Sequence, residues 1–142
     1  DLDIIDESSS FAGIGFNIDK NDWLLVSEVT KATVDDSFIS DQESWYASLG
    51  YRFDTVTPYV SYEAEDNNAK RDIYATLPTA SPVYAPVAAL VESLELDRTT
   101  WNIGVRYDFH PSAALKVQYS AADNKTLDRD DNALVLGVDL VF

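Results

Sequence analysis

The chain has 142 residues and carries 10 Lys+Arg against 25 Asp+Glu, a net charge of −15. That acidity excludes a nucleic-acid surface, whose phosphates would be repelled, and the lack of cysteine excludes a disulfide framework or a Cys-based metal site. Hydrophobic residues make up 46% of the chain, yet no run reaches the roughly 18 apolar residues of a transmembrane helix.

The spacing instead predicts short period-two strands. The first, roughly 10–18, alternates Ala12, Ile14, Phe16 and Ile18 with Gly13, Gly15 and Asn17. The second, roughly 22–34, is less clean, because Trp23, Leu24, Leu25 and Val26 are all apolar. Trp23, Leu25 and Val29 are assigned to its apolar face and Glu28 to the other. Strands at roughly 43–53 and 56–66 follow. Trp45, Ala47, Leu49, Tyr51 and Phe53 oppose Tyr46, Ser48, Gly50 and Arg52; Pro58, Val60, Tyr62 and Ala64 oppose Tyr59, Ser61, Glu63 and Glu65.

A polar connection, 67–97, comes next. Val87, Leu90, Val91 and Leu94 recur at helical spacing after Pro86, which predicts a short amphipathic helix. Packing on a rim is preferred to insertion as a plug. Strands at roughly 98–109 and 113–123 carry Trp101, Ile103, Val105, Tyr107 and Phe109, then Leu115, Val117, Tyr119 and Ala121, on their apolar faces. Asn102, Gly104, Arg106, Asp108, Lys116, Gln118 and Ser120 lie opposite. The last strand, 132–142, places Leu134, Leu136, Val138, Leu140 and Phe142 on one parity and Asp139 on the other. Short turns are predicted at 19–21, 54–55 and 110–112, and long polar loops at 35–42, 67–97 and 124–131.

A Gly–apolar–Asn/Arg–apolar–Asp pattern recurs at Gly15–Asp19, Gly50–Asp54 and Gly104–Asp108, with a partial copy at Gly137–Leu140. Such self-similarity marks a repeated unit, here a hairpin. Trp45 and Trp101 sit near the loop ends of their strands; Tyr51, Phe53, Tyr107 and Phe109 sit near the turn ends. Two aromatic levels around an aliphatic middle read as the interfacial girdles of a lipid-facing surface.

A terminal strand of alternating apolar residues closing on Phe142 resembles the C-terminal assembly signal of Gram-negative outer-membrane barrels. The whole chain resembles the C-terminal half of a Gram-negative porin. The resemblance implies an all-β, antiparallel up-and-down transmembrane β-barrel. About seven strands are expected in this chain, as part of a larger barrel of about 16. Residues 1–142 would be the C-terminal portion of one barrel domain, with 67–97 as a long extracellular loop and earlier strands preceding Asp1. It further implies a water-filled channel for passive diffusion of small hydrophilic solutes and ions, with no enzymatic step, in the cell outer membrane. The partners it implies are lipid, lipopolysaccharide, the barrel-assembly machinery and further copies in a homotrimer.

Charges on the opposite face must be wet or paired, since Arg or Lys facing lipid costs about 2–4 kcal/mol at the midplane. Glu28, Arg52, Glu63, Glu65, Arg106, Asp108, Lys116 and Asp139 are therefore the pore-lining candidates. Glu63 and Glu65 are expected to lack a basic neighbour. His110 in His-Pro-Ser reads as a turn residue rather than a catalytic one. No cofactor is expected; Asp123, Asp128, Asp130 and Asp131 read as a solvated acidic loop, with a weak calcium or magnesium site as the alternative. Two other function classes stand beside the channel. One is a non-channel barrel with a structural, adhesion or receptor role. The other is a secreted β-sandwich binding module, which would bury the aromatic faces in a core.

Overall fold

The computed structural model describes residues 8–35 and 37–141. Seven strands form one antiparallel sheet in strictly sequential order. They are β1 (Ser9–Lys20), β2 (Trp23–Val34), β3 (Asp41–Tyr51), β4 (Val56–Asn68), β5 (Leu96–His110), β6 (Ala113–Asn124) and β7 (Arg129–Leu140). Two short helices, α1 (Asp72–Ala75) and α2 (Tyr84–Glu92), lie between β4 and β5. This is the expected up-and-down arrangement, with each strand hydrogen-bonded to the next in the chain.

Tight turns set the register. Asn21 and Asp22 join β1 to β2 with φ of 51° and 67°, the left-handed pair that a two-residue hairpin needs for its twist. Asn and Asp tolerate that conformation better than other side chains. Asp54 does the same between β3 and β4 with φ 54°, beside a Phe53–Val56 bridge closed at 2.7 and 2.9 Å. Pro111 and Ser112 separate His110 from its partner Ala113, next to a register shift between Tyr107 and His110.

The connection expected at 124–131 is much shorter than its polarity suggested. Asn124 pairs directly with Arg129, and Asp123 with Asp130, leaving only 125–128 as loop, with Asp128 at φ 48°. Polarity there marks exposure to water rather than the end of the ladder. Strict alternation of short turns with long loops therefore fails at this hairpin.

The sheet has almost no core of the ordinary kind. Val91 and Ala114 are the buried apolar residues among those described, whereas Ile14, Leu134 and Leu136 are 78%, 69% and 69% exposed. A β-sandwich would cover those side chains with a second sheet. The described residues form a single sheet, and the sandwich alternative falls with it.

Candidate functional site

Alternation along the strands and the observed register together sort the side chains into two faces. One carries Ile14, Val29, Trp45, Val60, Ile103, Val117 and Leu136. On it the aromatic rings form two rows. Trp45, Tyr62 and Trp101 run across three strands with centroids 5.3 and 4.8 Å apart. At the turn end, Trp23 meets Tyr51 at 4.9 Å, Tyr51 meets Phe53 at 4.6 Å, and Tyr107 meets Phe109 at 6.2 Å. Ser27, the polar exception in the middle of this face, satisfies its hydroxyl on the Tyr46 carbonyl at 2.8 Å. Leu134, Leu136, Val138 and Leu140 share the face on β7; Phe142 lies outside the described residues.

The eight charged candidates all lie on the opposite face, and the structure supplies their partners. At the turn end, Arg52 grips Asp19 with two bonds of 2.9 and 3.3 Å. Arg106 donates to Asp108 at 2.9 Å and to Asp139 at 2.8 Å. Nearer the loop end the expectation for Glu65 is corrected. Glu65 pairs with Arg98, which sits opposite it in the register. Arg98 escaped notice because it begins the predicted strand, although its even number places it on the same parity as Arg106. Glu63 accepts a 2.7 Å bond from Asn102. Glu28 has no ion pair among the described residues. It faces Tyr46, which in turn faces Glu63, and the row opens into a recess of about 230 Å³ that Glu65 also lines.

The middle of this face is knitted by neutral groups. Asn102, only 2% exposed, donates to Ser61 at 3.0 Å and accepts from Gln118 at 2.9 Å and Ser120 at 2.6 Å. The Tyr59 hydroxyl donates to Gln118 at 2.7 Å. A buried amide with all its polar atoms matched is rigid, because any movement strands an unpaired group. Lys116 has no carboxylate partner among the described residues and stands 5.1 Å from the Tyr59 ring centroid. Leu24 and Val26 share this polar face, which the crowded apolar run from Trp23 to Val26 had concealed.

The segment between β4 and β5 closes on itself. Glu92 on α2 accepts from Arg71 at 2.8 and 2.9 Å and from the Tyr74 hydroxyl. Arg71 also reaches Glu95. These bonds, Arg71 first and Tyr74 next, hold the Glu92 carboxyl below its ordinary value, while donation to Glu92, then burial, raises the Tyr74 hydroxyl. Ser40 donates to the Leu94 carbonyl at 3.2 Å, and Lys70 bonds the Val34 carbonyl and Asp41. The segment is thus tied to the loop end of the sheet, beside β2 and β3. Val91 faces inward as the helical spacing predicts, but Leu90 is 42% exposed.

His110 and Ser112 are bonded to each other, with the His110 Nδ1 accepting from the Ser112 N–H at 3.1 Å and lying 3.1 Å from its Oγ. An i to i+2 contact inside a two-residue turn is turn chemistry. The four aspartates read as one acidic loop are dispersed. Asp123 and Asp130 face each other on the ladder, Asp131 pairs with Arg129 at 2.6 Å, and Asp128 sits in the turn. No group of three or more metal-ligating side chains is assembled among the described residues.

Residues 5–139 match the family model of Gram-negative porins. Among solved structures the chain is similar to OmpT, in-vitro folded, an outer membrane protein of Vibrio cholerae in trimer form. Identity is 17% and the TM-score 0.52, over 92% of this chain and 40% of that one. A likeness at that identity concerns the fold, and the chain spans about two-fifths of that protein's length. No curated protein matches the chain.

Proposed function

The chain belongs to the Gram-negative porin family, a family of the bacterial outer membrane, and on that premise we propose that its polar face lines a water-filled channel for passive diffusion of small hydrophilic solutes and ions. One observation carries the reading. A single up-and-down sheet presents ion pairs and matched amides on one face and, on the other, an aliphatic band between aromatic rows with Ser27 as its polar exception. Lipid accepts the second face and would penalise the first. The aromatic rows then stand at the two interfaces, where amphipathic rings are favoured.

The channel is passive and needs no catalytic residue. The segment 67–97 is its long extracellular loop, and three copies assemble, as the trimer form of the Vibrio cholerae protein suggests. Leu134, Leu136, Val138, Leu140 and Phe142 act as the signal for the barrel-assembly machinery. The acidic residues at the loop end meet lipopolysaccharide and weakly held calcium or magnesium. The matched network around Asn102 favours one rival, a barrel whose interior is filled and does not conduct. Planar-bilayer recording of the purified protein separates the two. Stepwise conductance that scales with salt is expected, and silence at every salt concentration overturns the channel.

A further inference from the structure

The polar face is interrupted at the turn end by an apolar trough. Leu24 pairs with Gly50, and Gly50 with Tyr59, so one side is the Leu24 side chain and the floor beside it carries no side chain. The other side is the base of Tyr59, whose ring leans away over Gly104, with Thr57 beside it. A Cβ at position 50 would stand 3.3 Å from the Pro58 carbonyl and 3.4 Å from the Tyr59 Cβ. Val26 and Ser48 extend the trough by one row. The cavity measures about 290 Å³ and is bounded at its far side by Arg106, Lys116 and Asp139.

Those three charges differ in availability. Arg106 is held by Asp108 and Asp139 together. Lys116 leans over the Tyr59 ring without a carboxylate partner among the described residues. The cavity therefore offers an apolar slot beside one uncompensated ammonium, and the complementary molecule has a flat apolar body with a single anionic group. We infer that this trough is a binding subsite for small aromatic carboxylates, with the ring between Leu24 and Tyr59 and the carboxylate on Lys116. The inference rests on the polar face being open to the channel. It goes beyond unselective diffusion, because a solute seated there is held on its way through.

Benzoate is the probe, with acetate as the charge-only comparison and benzyl alcohol as the apolar-only one. Binding to the purified native protein in detergent micelles, followed by saturation-transfer NMR, needs no conduction. Saturable benzoate binding is expected, with neither acetate nor benzyl alcohol saturating in the same range. Lys116→Gln should weaken it about tenfold, the loss of one charge-assisted hydrogen bond, and Lys116→Arg should restore most of it. Gly50→Val fills the slot and should abolish it; if that variant fails to fold by heat-modifiable gel mobility, the lysine pair alone decides. Benzoate binding that is absent, or equal in wild type and Lys116→Gln, overturns the subsite. Conductance without saturable benzoate binding overturns the subsite and leaves the channel; saturable binding without conductance does the reverse.

Discussion

The Tyr59 ring of β4 lies over the backbone of Gly104 on β5, filling the place a Cβ at position 104 would occupy. The two residues are direct partners in the register, and the ring reaches past Gly104 to bond Gln118 on β6. One side chain thereby ties three strands, and it can do so only because its neighbour has none.

Position 104 therefore has no room for a side chain while the ring is in place. Gly104→Ala should displace the ring, break the Gln118 bond and destabilise by about 1–3 kcal/mol, the usual overpacking cost. Tyr59→Ala on top of it should cost less than the two changes added, because the clash is gone. Val105→Arg, one residue along and facing lipid, should cost about 2–4 kcal/mol. Urea titration of the variants refolded in vesicles measures all three; strict additivity of the Tyr59 and Gly104 changes would disprove the contact.

Ion selectivity should follow the unpaired groups rather than the charge count. Glu65 is neutralised by Arg98, which leaves Glu28 and Glu63 as the carboxylates of the recess without an ion pair among the described residues. Mild cation selectivity is expected, stronger at low ionic strength because salt screens the recess. Glu28→Gln with Glu63→Gln should weaken it. Glu65→Gln frees Arg98 and should move the preference toward anions by itself. Reversal potentials under a salt gradient read the order of these effects, and a wild type that prefers anions contradicts it.

The loop clamp should be acid-sensitive. Bonds from Arg71 and Tyr74 depress the Glu92 carboxyl from 4.5, so the folded form binds the proton less readily than the unfolded one. The clamp's contribution is complete above the ordinary carboxylate range and is lost as pH falls through the depressed value. Limited proteolysis of residues 69–95 should be slow at neutral pH and accelerate in acid with an acid-active protease. Arg71→Gln should show the fast rate already at neutral pH; unchanged cleavage in that variant would remove the clamp.

Deleting Phe142 should slow assembly more than it lowers final stability. One apolar side chain is worth roughly 1.5–3 kcal/mol if buried, whereas loss of the proposed signal would act on recognition by the assembly machinery. Pulse-labelled cells should accumulate unfolded chain, while purified protein refolds in detergent near the wild-type midpoint. Normal folded yield in cells argues against the signal.

The strands and their faces were legible because they depend on local information. Alternation such as Asn102, Ile103, Gly104, Val105, Arg106 has period two, and only one extended conformation satisfies lipid on one side and water on the other. The repeated glycine motif and the Asn and Asp residues at the turns located the hairpins on the same local grounds. Tertiary structure decided which side chains meet. Pairing joins residues far apart in sequence, and a one-residue slip of register would exchange every partner. So Arg98 reaches Glu65, Asn102 reaches Glu63, and Tyr59 covers Gly104, none of which periodicity can state. The Leu24 trough has the same origin: an apolar residue on a polar face is noise along one strand, and becomes a cavity only when Gly50 and Tyr59 are set beside it.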